Sequence, residues 1–350
     1  MAVKYSFERA DLDSSESLIA GLWAQGLLGL VDSVAKEKYQ QFYLDNPAGR
    51  GDCILLVDAS SGQAVGVQGF VPRRFWRGTR KADAAVMADF IVVPEHRSLG
   101  PALKLMRAGI ELGKQRFAFF YGTPNEKSLA IVRRAALKSI GRMTRHNKLL
   151  RTTDYLRRRI PSWMVPPAAF AGDLALLATD FVYGWSHGDP YRWNDTSEFG
   201  PEIDRIWQDR TEDRVYGDRS RAMLAWRYRS APEGTPWRIS VASDSAGKPV
   251  GYVVWRVLDA TVMISDFLVP LGERSLNVFL RSFAWYSRRL KVDRVSLEFF
   301  GGDDLVASIW KAGFRARESF PIAYFEHGSG NLSISQATAY MTSFDRDHEQ

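Results

Sequence analysis

The sequence predicts an α/β (α+β) protein in which one arrangement, a mixed and mostly antiparallel twisted sheet flanked by helices, is built twice in tandem. Three observations carry this. Strand and helix patterns in the first 150 residues follow the order β-α-α-β-β-β-α-β-α-β, and its closing β-α units need a parallel pairing within the sheet. The same order returns in the second half, residue by residue. Hydrophobic residues make up 45% and aromatics 13% of the 350 positions, with 11 Trp, enough to fill a core in each half.

Val3 to Phe7 is a short strand. Apolar residues three and four apart predict a helix from Ser17 to Leu30, and a second from Ser33 to Tyr43 that stops before Asn46-Pro47-Ala48-Gly49. Cys53 to Asp58 and Ala64 to Phe70 flank the turn Ala59-Ser60-Ser61-Gly62 and read as a hairpin. Ala84 to Val93 is a buried strand. It is followed by a helix over Pro101–Gln115, a strand over Phe117–Gly122, a helix over Asn125–Leu137 and a last strand over Arg142–Leu149.

The repeat is collinear. Tyr43, Pro47, Gly49, Ile54, Gly62, Val65 and Gly66 recur as Tyr228, Pro232, Gly234, Ile239, Gly247, Val250 and Gly251, each 185 positions further on. Asp89, Phe90, Arg97, Ser98 and Leu99 recur as Asp266, Phe267, Arg274, Ser275 and Leu276, here 177 positions on, as a shorter hairpin in the second copy requires. The expected division is therefore a first domain over 1–150, a connector with a packed helix over 151–193, a second domain over 194–328 and a polar, frayed tail over 329–350. In the connector, Arg157-Arg158-Arg159 stands beside an apolar stretch. A helix lying on a membrane surface is the alternative to packing there.

Composition narrows the function classes. The formal charge is +7 and the pI about 9.4, which suits an anionic ligand. The basic residues are scattered, with no stripe or nucleic-acid motif, so no nucleic-acid partner is expected. Cys53, the sole cysteine, opens the apolar run CILLV and reads as a buried strand residue. With five His and none paired at ligand spacing, no metal is expected. The N-terminus lacks a signal-peptide core, and the apolar stretch Val165–Trp185 is broken by Pro166, Pro167, Asp173 and Asp180. No transmembrane segment and a cytoplasmic location are therefore expected.

The chemistry concentrates between the end of one strand and the start of a helix, in Glu95-His96-Arg97-Ser98-Leu99-Gly100-Pro101-Ala102. Gly100 lets a ligand approach the backbone, Pro101 is pre-organised for a first helical turn, and Ala102 is small. Free N–H groups at the helix start and the positive end of its dipole suit an anion, and Arg97 adds charge. An ordinary strand-to-helix turn would use the same residues. Asn125, in Thr123-Pro124-Asn125, caps the next helix. Asp89 lies among apolar neighbours, where burial would raise its pKa into the range of a base. A structural Asp bonded to its surroundings explains it equally, and the recurrence as Asp266 favours that reading.

The succession strand, V-x-P-x-x-R-x-x-G-x-A, helix, strand, Asn, helix resembles the core of the GNAT family of N-acetyltransferases. Arg97, Gly100 and Ala102 stand at the signature positions. The resemblance covers most of the first half, and the whole chain resembles a tandem member. It implies that Arg97, Ser98, Leu99, Gly100, Pro101 and Ala102 bind the pyrophosphate of acetyl-CoA or another acyl-CoA. Ile91, Val92 and Val93 would hold the pantetheine arm as a partner strand would, with Asn125 nearby. The implied activity is acyl transfer, acetyl by default, to a primary amine of a small molecule or peptide. Members of the family carry a tyrosine as proton donor seven residues after the Asn, where Val132 stands here, so Tyr121 or water is left for that role.

The second copy keeps Arg274-Ser275-Leu276 but has Asn277 for the glycine and Phe279 for the small residue, and Asp303-Asp304 where Asn125 stands. It is expected not to bind coenzyme A in the usual way. Three alternatives stay open: a non-catalytic acyl-CoA-binding protein, a long-chain acyltransferase, and an aminoacyl transferase of the same fold. Oligomeric state is not encoded in any of these features, and a peripheral membrane contact remains an alternative for the connector.

Overall fold

A computed structural model describes residues 4–26, 31–157, 159–187, 191–211, 213–230, 234–270, 276–327 and 332–347. Leu27–Leu30 of the expected first helix, and Arg274 and Ser275 of the second-copy loop, lie outside the described residues.

The chain opens with β1 (Tyr5–Arg9), α1 (Glu16–Gly26) and α2 (Asp32–Tyr39). Ile19, Ala20, Leu22 and Trp23 form the buried face of α1, the spacing of an amphipathic helix. One π-helical turn over Gln40–Leu44 extends α2 and stacks Tyr43 on Tyr39 beside Trp23. The meander β2 (Asp52–Asp58), β3 (Ala64–Arg77) and β4 (Arg80–Val92) follows. Cys53 is fully buried in β2, and burial pushes its thiol up.

The β3–β4 hairpin is longer than the sequence pattern indicated. The two strands stay paired out to Arg77↔Arg80, and Gly78 turns between them at φ +57°. Pro72 and Arg73-Arg74 interrupt the apolar pattern of β3 without interrupting the strand, since side-chain polarity does not alter backbone pairing. Then come α3 (Leu99–Lys114), β5 (Phe119–Gly122), α4 (Glu126–Arg134) and β6 (Lys138–Leu149). Phe70, Met106, Ile110, Phe117, Phe120 and Val132 form a core of their own beneath α3 and α4.

The connector holds α5 (Thr153–Arg157) and α6 (Val165–His187). The second half contains β7 (Arg192–Thr196), α7 (Pro201–Gln208), β8 (Val215–Gly217), α8 (Arg221–Arg227) and β9 (Arg238–Ser243). It continues with β10 (Pro249–Leu258), β11 (Thr261–Leu268), α9 (Leu276–Ser287), β12 (Arg294–Gly301), α10 (Asp303–Lys311), β13 (Arg315–Glu326) and β14 (Ala339–Thr342).

The described strands join one sheet, twelve of them along the path β1-β2-β3-β4-β5-β13-β6-β12-β11-β10-β9-β7, with β14 against β12 and β8, and β8 also against β3. Each half contains one parallel pair on this path, β4 with β5 and β11 with β12, and β14 adds a further parallel pair with β8. Past those pairs the halves exchange strands. First-half β6 lies against β12 from Leu149↔Arg294 to Thr144↔Phe299, and second-half β13 lies against β5 from Gly122↔Ala323 to Phe119↔Glu326. The exchanged strands pair with each other at the centre.

The expectation of a frayed polar tail needs correction. Ala339–Thr342 is a buried strand and Ser343–Asp345 a buried turn. Thr342 and Asp345 find partners inside the fold: the Thr342 side chain and the Asp345 carboxylate cap each other's backbone, and Arg219 reaches one carboxylate oxygen at 2.6 Å. A polar segment buries readily once its polar groups find such partners.

Candidate functional site

The parallel pair β4–β5 is short. Ala84, Ala85 and Val86 oppose Phe119, Phe120 and Tyr121, and β5 ends at Gly122. A Cβ on Gly122 would stand 3.1 Å from the Met87 carbonyl, so the backbones are still close where they separate. Beyond Met87, β4 continues to Val92 with only its β3-facing edge paired among the described residues. Ile91 opposes Val67, Val92 opposes Gly66, and the Val93 N–H reaches the Val65 carbonyl at 2.9 Å. The edge of β4 facing away from β3 is left as one wall of a notch. Ile91, Val92 and Val93, expected as a ligand-holding strand, are brought together on that wall.

The loop after β4 leads into the N-terminus of α3. Ser98 precedes the helix in an extended conformation and its side chain makes no capping bond. Leu99 and Gly100 therefore begin the helix with N–H groups that no side-chain cap occupies. Leu99 and Gly100 are exposed, and nothing lies within 4 Å of a Cβ built on Gly100. Pro101 and Ala102 are buried against the sheet. Arg97 is exposed, and its Nε donates to the Val92 carbonyl at 3.2 Å. This bond ties the loop to the end of β4. Uncapped N–H groups at an exposed helix start beside an arginine are an arrangement that suits an anion.

Across the notch, Asn125 caps α4 by accepting the Ser128 N–H at 3.0 Å. The cap alone accounts for its side-chain carbonyl. The neighbouring Thr123 Oγ1 is buried without a hydrogen-bond partner among the described residues. Sequence reasoning passed over this hydroxyl, because threonine in a turn carries no distinctive pattern.

Asp89 sits in a β-bulge. Val67 pairs with Ile91 and Gly69 with Ala88, leaving Asp89 and Phe90 opposite Gln68 alone, and Asp89 has φ +56°, a left-handed conformation favoured by few residues. Its carboxylate is buried. One oxygen is ion-paired with Lys38, and the other accepts from the Tyr43 hydroxyl at 2.6 Å. Gly69 makes room for that hydroxyl. Asp89 thus ties α2 and the π turn to the bulge, and both oxygens expected to take a proton from an acceptor are engaged.

Tyr121 is likewise placed away from donor chemistry. Its side chain is fully buried, and its hydroxyl donates to the Asp345 carbonyl at 2.6 Å. Burial raises the phenol well above its ordinary pKa, with Asp345 adding to the shift. A hydroxyl so weakly acidic and already bonded is a strut between β5 and the C-terminal segment.

The second half repeats the notch and fills it. Strands β11 and β12 pair in parallel from Thr261↔Arg294 to Ile264↔Leu297. Phe299 then pairs Thr144 of β6 on one edge and Thr342 of β14 on the other. Strand β14 therefore takes the edge that β11 gives up. Tyr340 closes the gap by donating to the Phe267 carbonyl of β11 at 2.9 Å. Asp266, at the second bulge, accepts from Arg219 at 3.1 Å, Thr342 at 2.6 Å and Tyr252 at 2.7 Å. Burial raises its pKa despite the Arg219 charge. Phe279 is fully buried against Trp193 and Tyr191, centroids 5.2 and 5.8 Å apart, and its ring lies where a Gly251 Cβ would be. It occupies the space between α9 and the sheet.

No protein-family sequence model matches the chain, and no curated protein matches it. Solved structures do. A GCN5-related N-acetyltransferase from Anabaena variabilis is similar with a TM-score of 0.63 at 14% identity, over 91% of this chain and 72% of that one. Another from Kribbella flavida gives 0.57 at 12% identity, over 92% and 71%. N-myristoyltransferase from Saccharomyces cerevisiae, solved with myristoyl-CoA and inhibitors, gives 0.51 at 10% identity, over 93% and 81%. At these identities the likeness is one of architecture: the chain has the fold of the GCN5-related N-acetyltransferases, with two notches of which one is open.

Proposed function

We propose that the chain is an acyl-CoA-dependent N-acyltransferase with a single working site, at the β4–β5 notch, and that the donor is acetyl-CoA and the acceptor a primary amine. The observation that carries this reading is the contrast between notches. The first leaves a backbone edge and a helix start open, where the second is closed by the chain's own β14. Pantetheine amides would pair with the free edge of β4 at Ile91–Val93. The pyrophosphate would sit on the N–H groups of Leu99 and Gly100 with Arg97 beside it. Asn125 and Thr123 would stand on the facing wall.

In the reaction, the neutral amine attacks the thioester carbonyl and a C–N bond forms. The developing oxyanion is stabilised by a backbone N–H on the open edge. The C–S bond then breaks, coenzyme A leaves as thiolate, and the amine's extra proton passes to water. A thiol of pKa about 8.5 leaves without an obligatory proton donor, which agrees with Val132 at the tyrosine position and with Tyr121 being engaged. Asp89 enters as the residue that fixes the bulge through Lys38 and Tyr43. Most of the rate enhancement then comes from holding donor and amine together.

Calorimetric titration with acetyl-CoA tests the assignment on the wild type and on Gly100→Trp, whose side chain projects into open space and leaves the core intact. A loss of at least about tenfold in affinity is expected, equivalent to ~1.4 kcal/mol. Equal binding by both proteins would remove the site. Release of free thiol only in the presence of an amine separates an enzyme from a non-catalytic acyl-CoA binder.

A further inference from the structure

The connector helix α6 is amphipathic in an unusual sense. Between positions 163 and 180 the only charged residues are Asp173 and Asp180, and both face the protein. Asp173 accepts from Thr152, N–H at 2.6 Å and hydroxyl at 2.8 Å. Asp180 bridges Lys148 at 2.9 Å and Arg288 at 2.7 Å. Val165 and Ala169 are buried on the same side. The opposite face therefore carries no charge at all. On it Phe170 is 75% exposed and Leu174 57%, with Leu177 exposed beside them, and in the turn just before the helix Trp163 is 76% exposed and Met164 exposed too. At 1.5 Å per residue, the face runs ~25 Å. No described helix is long and apolar enough to cross a membrane.

A basic groove adjoins the N-terminal end of this face. It has a volume of about 570 Å³ and is lined in part by Tyr155 and Arg159, from the segment that leads into α6, and by Arg145, Arg294 and Arg317. Arg145 is held by Glu298 and Glu318, and Arg159 and Arg317 add positive charge to the lining, which also includes Arg294 and Asp293. Arg159 lies over the Tyr155 ring, 3.8 Å from its centroid, and Arg157 is exposed nearby.

We infer that α6 docks the protein on an anionic membrane surface, lying in the plane of the interface. Its uncharged face enters the headgroup boundary, and the arginine groove receives anionic headgroups. Charge complementarity selects this occupant. A second copy would present the same apolar and basic surface and no anionic complement, whereas an acidic leaflet supplies both the apolar depth and the negative charge. Exposed Trp and Tyr flanking the face suit the water–lipid boundary. The inference does not depend on the acyl-transfer reading.

Co-sedimentation with vesicles of phosphatidylcholine, alone or mixed with phosphatidylglycerol, tests it on the full chain. Binding to the mixed vesicles and none to the neutral ones is expected. Phe170→Glu with Leu174→Glu should weaken binding more than about tenfold, because two apolar side chains that would enter the membrane are lost. Arg159→Glu with Arg317→Glu should weaken it by at least about fivefold per site, and high salt should do the same. All four residues are side chains at the surface or the groove, and thermal melting of each variant confirms that the fold is kept. Equal binding to both vesicle types, absence of binding, or a concentration-dependent dimer that Phe170→Glu disperses would each overturn the inference. The last would assign the face to a second copy.

Discussion

The two parallel strand pairs begin alike and end differently. Strands β4 and β5 separate after Val86 and Tyr121, and no described strand enters between them. Strands β11 and β12 separate after Ile264 and Leu297, and β14 enters the gap. Both halves carry an aspartate at a bulge beside the notch. Asp89 is clamped by Lys38 and Tyr43, and Asp266 by Arg219, Thr342 and Tyr252. The shared features, including the bulge and its clamped carboxylate, therefore belong to the scaffold. What distinguishes the halves is whether a backbone edge is left for a ligand.

The largest effect should come from releasing the filled notch. Arg219 is fully buried between Asp266 and Asp345. Arg219→Met leaves two buried carboxylates without their cation, and breaking such a pair costs ~3–5 kcal/mol. Thermal and urea unfolding should show the loss. A near-neutral effect would mean that β14 is held by its backbone pairing and aromatic packing alone.

The seam between the halves gives the next effect. His146 lies on β6 between Leu297 and Ala316. Burial lowers its pKa from an ordinary 6.5 to about 4, and its Nε2 has no partner among the described residues. The unfolded chain therefore binds a proton between those values while the folded one does not. Stability from this group is intact above the unfolded pKa and is lost as pH falls towards the folded one, by at most ~3 kcal/mol. His146→Leu should flatten that limb of the pH–stability curve. An unchanged curve would show that other groups set it.

The open notch can be made to resemble the closed one gently. Gly100→Asn copies Asn277 into a position with open space around its Cβ, so stability should hold. Affinity for acetyl-CoA should fall by about tenfold as the side chain stands over the cradle, a difference of ~1.4 kcal/mol. A smaller effect is expected at Thr123. Thr123→Val removes a buried hydroxyl that has no partner, so the free protein should be unchanged or slightly more stable. If the hydroxyl serves the donor, affinity drops about threefold, within the ~0.5–1.5 kcal/mol of one hydrogen bond. Unchanged binding would return Thr123 to a structural role in the turn.

Much of this comparison was legible in the residues. Constant spacing between the copies gave the order of elements, and Gly100 and Ala102 against Asn277 and Phe279 set the two helix starts apart. The helix starts, the turns at Gly62 and Gly247 and the burial of Cys53 also followed from local chemistry. Other features were not legible, for identifiable reasons. Asp89 and Tyr121 were credible proton carriers by position, and only their partners, Lys38 and the Asp345 carbonyl, show that they are engaged. Those partners lie 51 and 224 residues away in sequence.

By itself, then, the sequence determined what depends on neighbours along the chain: helical faces, the positions of the first-half strands, the repeat, and a helix start free of bulky side chains. Tertiary structure alone decided the exchange of β6 and β13 between the halves and the entry of β14 into the second notch. Backbone hydrogen bonds join strands whatever their side chains, so composition does not announce which distant strand supplies the partner edge. The tail looks polar because Thr342 and Asp345 are polar. It is buried because Arg219, Asp266 and the edge of β12 supply partners to Thr342 and Asp345 only after the chain has folded.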